Sequence, residues 1–78
     1  MRIVLDTNVL VSGVLSPHGP PGRIVDLALR GDLIILYDDR ILAEYREVLG
    51  RPKFALNPDD VAQVLVDLER TGEAISAA

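Results

Sequence analysis

Asp6, Asn8 and Glu44 are the residues of this chain whose types and placement suit chemistry. Asp6 ends a short apolar run, Ile3-Val4-Leu5, and Asn8 stands just ahead of another, Val9-Leu10-Val11. Ligands of open parallel sheets bind outside the carboxyl ends of the strands, which is where Asp6 would be delivered by the first of them. An Asp in that position often does no more than cap the following helix. Here Thr7 and Asn8 are both able to take the cap, which leaves Asp6 for another use.

Glu44 supplies a second carboxylate. Around it Ile41, Leu42, Tyr45, Val48 and Leu49 form the apolar stripe of a helix. At roughly 100° per residue, Glu44 falls about 100° from the centre of that stripe, and Glu47 lies near the opposite pole. A border residue can reach along the top of the sheet, whereas Glu47 belongs in water. The plainer reading pairs Glu44 with Arg40 at the surface, an interaction worth about 0.3–0.5 kcal/mol.

Two carboxylates at one sheet edge match a hard cation. Mg²⁺ or Mn²⁺ takes oxygen ligands, keeps several waters, and is commonly held by one or two carboxylates plus substrate phosphate. Such an ion orients a scissile phosphate and lowers the pKa of an attacking water. Asn8 would then orient Asp6 or hold a metal-bound water.

The elements that must position these residues are legible in outline. Ile3 to Leu5 and Leu33 to Tyr37 are short apolar runs of the kind found in parallel strands covered on both faces. Thr7 or Asn8 caps a first helix reaching Val14 or Leu15, and the Pro/Gly-rich stretch Ser16 to Gly22 is a loop. Pro20 or Pro21 opens a second helix and Gly31 closes it. Asp39 is the expected cap of a third helix, Arg40 to about Leu49, stopped by Gly50 and Arg51-Pro52. Asn57-Pro58-Asp59-Asp60 combines a capping amide, a first-turn proline and two carboxylates at the positive end of a fourth helix, which Gly72 ends. Glu73 to Ala78 would begin a third strand. Strands alternating with helices imply an α/β fold with parallel strands and helical crossovers.

Composition narrows the partners. The chain has 78 residues, 49% of them hydrophobic, and 12 acidic against 8 basic residues for a net charge of −4. That balance argues against a broad basic surface for nucleic acid, so a polyanion would need local help such as a bound metal. No cysteine is present, which fits a reducing cytoplasm. Asp6 and Asn8 interrupt what would have to be the apolar region of a signal peptide, and no stretch approaches the roughly 18 apolar residues of a membrane span. The expectation is a cytoplasmic protein with no membrane association. His18 reads as an exposed loop residue, and Tyr37 and Tyr45 as aromatics at the edge of the core. Arg40, Arg46, Arg51 and Lys53 could border an RNA path, but scattered surface cations are the ordinary case and the preferred reading.

LDTNVLVSG from Leu5 to Gly13, PPGRIVDLALRGDL, the strand IILY and the helix ILAEYREVLGRPKF, in that order and spacing, resemble the N-terminal half of a PIN domain. Most of all they resemble bacterial and archaeal PIN proteins related to the toxin halves of type II toxin–antitoxin pairs. DTN alone is a weak signal; followed by L-x-E-Y-R-E-V-L and R-P-K-F it becomes fairly specific. The resemblance implies a Rossmann-like parallel sheet with flanking helices, truncated to about its first half, so that residues 1–78 form a partial PIN-like domain. It implies a metal-dependent endoribonuclease using Mg²⁺ or Mn²⁺, with Asp6 the first acidic ligand, Glu44 the second and Asn8 the neighbouring polar residue. RNA is the implied substrate and an antitoxin protein the implied partner.

Members of the family run on well beyond this length, and their remaining acidic ligands come from segments this sequence lacks. Asp59 and Asp60 read as first-turn carboxylates of a helix and do not replace them. The chain alone is therefore expected to bind metal weakly and to cleave slowly or not at all. A truncated sheet also leaves an edge and apolar surface open, which favours a homo-oligomer. The alternative function is a non-catalytic interaction module that keeps the fold for dimerisation or antitoxin binding. A phosphatase of the haloacid dehalogenase type fits poorly, because its pattern wants a second Asp two residues after the first, where this chain has Asn8.

Overall fold

The computed structural model describes residues 1–75. Along it run β1 (Arg2–Ile3), α1 (Thr7–Leu15), α2 (Pro20–Leu29), β2 (Ile34–Tyr37), α3 (Asp39–Leu49), a 3₁₀ turn (Pro52–Phe54), α4 (Pro58–Thr71) and β3 (Glu73–Ala74). The expected order of strands and helices is present. Of the stretch expected to begin a third strand, Glu73 and Ala74 do so, and residues 76–78 lie outside the described part.

Local chemistry sets the helix ends. Asn57 Oδ1 accepts the Asp59 N–H at 2.8 Å with Pro58 in the first turn, and Gly72 is the C-cap of α4. Pro20 and Pro21 open α2. Gly31, at φ +83°, turns the chain out of that helix in a left-handed conformation that other residues adopt at a cost. Two caps differ from expectation by one or two positions. Asp6, not Thr7 or Asn8, caps α1, and Asp38, not Asp39, caps α3 by accepting the Ile41 N–H at 2.8 Å.

The sheet has the order β1-β2-β3, with both pairings parallel. Arg2 stands opposite Ile34, Ile3 opposite Ile35, and Leu36 opposite Glu73. Alternation along the strands separates the two faces. Leu5, Leu33 and Ile35 point into the core, while Ile34 and Leu36 are half-buried and Val4 is 56% exposed. Coverage of the strands on both faces, read from their unbroken apolar runs, is therefore not what forms. On the open face the register puts Arg2 and Glu73 beside Ile34 and Leu36, and an Arg2–Glu73 ion pair of 3.1 Å spans β2 above them. Both side chains are largely exposed, so the pair contributes at most about 1 kcal/mol.

The core is gathered from all four helices and the sheet. Leu10, Ile35, Tyr45, Leu49 and Leu68 are its most completely buried large side chains. No buried side-chain polar atom among the described residues lacks a partner. The radius of gyration, 11.7 Å, agrees with the roughly 11.5 Å expected of a compact chain of this length.

Gly13 sets how closely α1 approaches α2. A Cβ built there would lie 2.6 Å from a Val25 methyl and 2.7 Å from the Pro21 carbonyl oxygen. Gly13→Ala would gain about 1 kcal/mol of helix propensity, but the clash involves backbone, and overpacking of that kind costs about 1–3 kcal/mol. The clash is expected to win, lowering the Tm in a circular dichroism melt. A Tm at or above the parent's would mean that the two helices part without penalty.

Candidate functional site

Where the chain leaves β1, Asp6 takes an extended conformation and its Oδ1 accepts the Asn8 backbone N–H at 2.7 Å. One oxygen of Asp6 is thus used to start α1. The other has no hydrogen-bond partner among the described residues. Asn8 serves Asp6 through its main chain, and its exposed side chain lines the same cavity.

Glu44 comes from α3 and is bound to the start of α1. The Thr7 hydroxyl donates to Glu44 Oε2 at 2.7 Å, across 37 residues of sequence. Hydrogen bonds from a hydroxyl to a carboxylate are short and about twice as strong as neutral ones. Glu44 does not pair with Arg40, which instead lies 3.8 Å from Asp38. Glu47 is exposed as expected and pairs with Arg51 at 3.0 Å.

Tyr45 fixes the strand end that carries Asp6. Its ring is only 1% exposed, deeper than the core-edge position expected of it, and its hydroxyl donates to the Leu5 carbonyl at 2.6 Å. α3 therefore grips the residue just before Asp6 with Tyr45 and presents the adjacent Glu44 at the cavity. Burial, and then the nearby Glu44 and Asp6 carboxylates, push the Tyr45 phenol up to about 12. Neutral phenol is thus favoured in the fold, and the proton is held more tightly folded than unfolded. Its contribution to stability is complete below the ordinary phenol pKa of about 10 and is lost as pH rises through 12. A metal-free pH titration is expected to show a loss of about 2 kcal/mol across that window, attenuated in Tyr45→Phe. An equal loss in the variant would place the alkaline transition elsewhere.

Asp6, Thr7, Asn8, Glu44, Tyr45 and Arg51 all border one cavity of about 450 Å³, floored by apolar side chains. The two expected carboxylates are therefore brought to one rim. Asp59 and Asp60 sit in the first turn of α4 and do not line it, in keeping with their reading as dipole partners. His18 is exposed near the start of α2, beside Arg23. Thr7 is an addition that spacing did not single out, and Arg51, grouped in the sequence only with the surface cations, lines the cavity as well.

The donor set suits a hard dication. Both carboxylates are exposed at the cavity, and oxygen ligands of this kind hold Mg²⁺ or Mn²⁺ while water and substrate complete the shell. Among the described residues no group of three or more His, Cys, Asp or Glu side chains converges. The protein's share of such a shell would be two carboxylates.

A family profile described as PIN domain matches residues 2–77. Among curated proteins, the chain is similar to the uncharacterized protein MJ1680 of Methanocaldococcus jannaschii, at 36% identity over 44 residues. That alignment spans 56% of this chain and 28% of the relative, so the chain covers little more than a quarter of the curated protein it matches. No solved structure matches the chain significantly. No helix among the described residues is long and apolar enough to cross a membrane. With the profile running almost from end to end over a parallel α/β sheet and its flanking helices, the chain belongs to the PIN domain family.

Proposed function

We propose that Asp6 and Glu44 hold one Mg²⁺ or Mn²⁺ ion and that this chain carries part of the active site of a cytoplasmic, metal-dependent endoribonuclease. The observation that supports this most is the convergence of the two carboxylates on one cavity, with Thr7 tying Glu44 to the helix that Asp6 caps. When bound, the ion would supply the positive charge that draws a phosphodiester to an acidic protein and acidifies a water there.

The chain's own residues prepare the place. Thr7 restrains the Glu44 carboxylate, which would otherwise lose side-chain entropy on binding. Tyr45 fixes the main chain before Asp6. The N-cap bond orients the Asp6 carboxylate at the cavity rim and leaves its other oxygen without a hydrogen-bond partner among the described residues. Asn8 would orient Asp6 through its N–H, with its side-chain amide able to hold a water at the rim.

Mn²⁺ titration of the melting curve, run beside cleavage of an end-labelled single-stranded RNA, tests the reading. Ion at 100 times its Kd is expected to stabilise the fold by about 2.7 kcal/mol. Internal cleavage should need Mn²⁺, stop with chelator, and be slow in the isolated chain. No Mn²⁺ stabilisation, or cleavage that survives Glu44→Gln, would defeat the proposal.

A second reading, an interaction module that dimerises or binds an antitoxin, is favoured by exposed apolar residues. Met1 is 86% exposed, Val4 56% and Val66 54%. Sedimentation equilibrium tests it: a concentration-dependent dimer in a chain that ignores Mn²⁺ would favour this reading over the nuclease.

A further inference from the structure

We infer that Arg51 is a phosphate-binding residue of the cavity, seating the backbone of single-stranded RNA beside the two carboxylates. The inference rests on the reading of that cavity as the RNA-facing site. Among the described residues lining it, Arg51 is the one cation, set among Asp6, Glu44 and Asn8. Its position follows from the end of α3: the Arg51 N–H bonds the Val48 carbonyl at 3.2 Å, and Pro52 then opens a 3₁₀ turn.

Glu47 holds the guanidinium by one edge. Nε lies 3.4 Å from Glu47 Oε1, and Nη2 lies 3.0 Å from Oε2. A guanidinium carries five N–H donors in a rigid plane. Glu47 occupies two, and Nη1 with the second Nη2 hydrogen remain on the far edge. That edge is a fork of the kind that takes two phosphate oxygens. The side chain is 46% exposed, so a ligand can reach it. Glu47 reduces the entropy lost on binding by restraining the side chain beforehand.

The other nearby cations are placed differently. Arg40 pairs with Asp38 at 3.8 Å and lines a neighbouring cavity that Glu44 borders but Asp6 does not, and Lys53 lies over the Phe54 ring at 5.2 Å. In a chain of net charge −4, a cation inside the carboxylate-lined cavity gives a polyanion an anchor that does not depend on the ion.

Anisotropy of a fluorescein-labelled, hydrolysis-resistant phosphorothioate RNA in Mn²⁺ buffer tests the assignment, with melting curves in parallel. Arg51→Gln is expected to weaken binding about tenfold and to lower the slope of log K against log salt by about 0.7. Arg51→Lys should restore the slope but not the full affinity, since a lysine keeps the charge and loses the fork. Arg30→Gln, on the exposed end of α2 and outside the lining of the cavity, controls for net charge and should stay within about twofold of the parent, since salt screens an exposed charge that does not touch the ligand. The Mn²⁺-induced rise in Tm should persist in Arg51→Gln. Parent-like RNA binding by Arg51→Gln, an equal loss in Arg30→Gln, or no RNA binding by the parent overturns the assignment. These outcomes separate it from the metal reading: a chain that ignores Mn²⁺ yet loses RNA with Arg51→Gln keeps the anchor and loses the metal site.

Discussion

Asp6→Asn is expected to keep the fold and lose the ion. Asparagine is as good an N-cap as aspartate, so its side-chain oxygen can still accept the Asn8 N–H that now lies 2.7 Å from Asp6. What disappears is one negative charge at the cavity. Opposite charges of one and two units about 4 Å apart are worth roughly 2 kcal/mol even at the dielectric constant of bulk water, so Mn²⁺ affinity should fall at least about 30-fold. Glu44→Gln should behave alike, because the amide oxygen can still accept from Thr7. Asp6→Ala adds the lost cap, about 1 kcal/mol of stability, to the same loss of affinity. Calorimetric Mn²⁺ titration beside thermal melts separates these terms. Parent-like affinity in both isosteric variants would mean that the ion binds elsewhere.

Leu10→Ala carries the largest expected cost in stability. Leu10 is fully buried on α1, between the Asp6 cap and the Gly13 crossing. Leucine-to-alanine changes in a core cost about 2–5 kcal/mol, according to how far the site collapses. A loss near 3 kcal/mol would lower the Tm by about 12–24 °C in a domain of this size. Domains of this kind hold only about 5–15 kcal/mol in all. The same change should weaken Mn²⁺ binding, because α1 presents Asp6 and Thr7 to Glu44. A Tm within a few degrees of the parent's would show that α1 contributes little to the core.

Most of the architecture was legible because the chain states its helix boundaries in chemistry that acts locally. Asn57-Pro58 and Gly72 bound α4 as expected. The caps of α1 and α3 were harder, since Asp6-Thr7-Asn8 and Asp38-Asp39 offer adjacent residues of equal capping ability. Tertiary contacts decide between them. The Leu5 carbonyl is held by Tyr45, and the Tyr37 carbonyl accepts the Ile75 N–H at 2.8 Å, so in each case the residue just before the capping Asp is fixed by a tertiary hydrogen bond. Val4 was misjudged because an apolar run does not say how many helices will cover it.

At the site, the amphipathic angle of α3 was enough to put Glu44 on the border of the buried face. The bond from Thr7 was not legible, because it joins residues 37 apart whose approach depends on the packing of α1 on α3. Arg51 was legible as a surface cation, but its place in the cavity depends on how the chain turns after Gly50.

Paramagnetic broadening by Mn²⁺ in an amide spectrum of the whole chain addresses the pairing of the two carboxylates most directly. At substoichiometric ion, signals from Asp6 to Asn8 and from Ala43 to Tyr45 should fade together and first, while those of Asp59 and Asp60 persist. Broadening centred on α4 or on Asp38 and Asp39, or confined to one of the two expected segments, would contradict a shared ion.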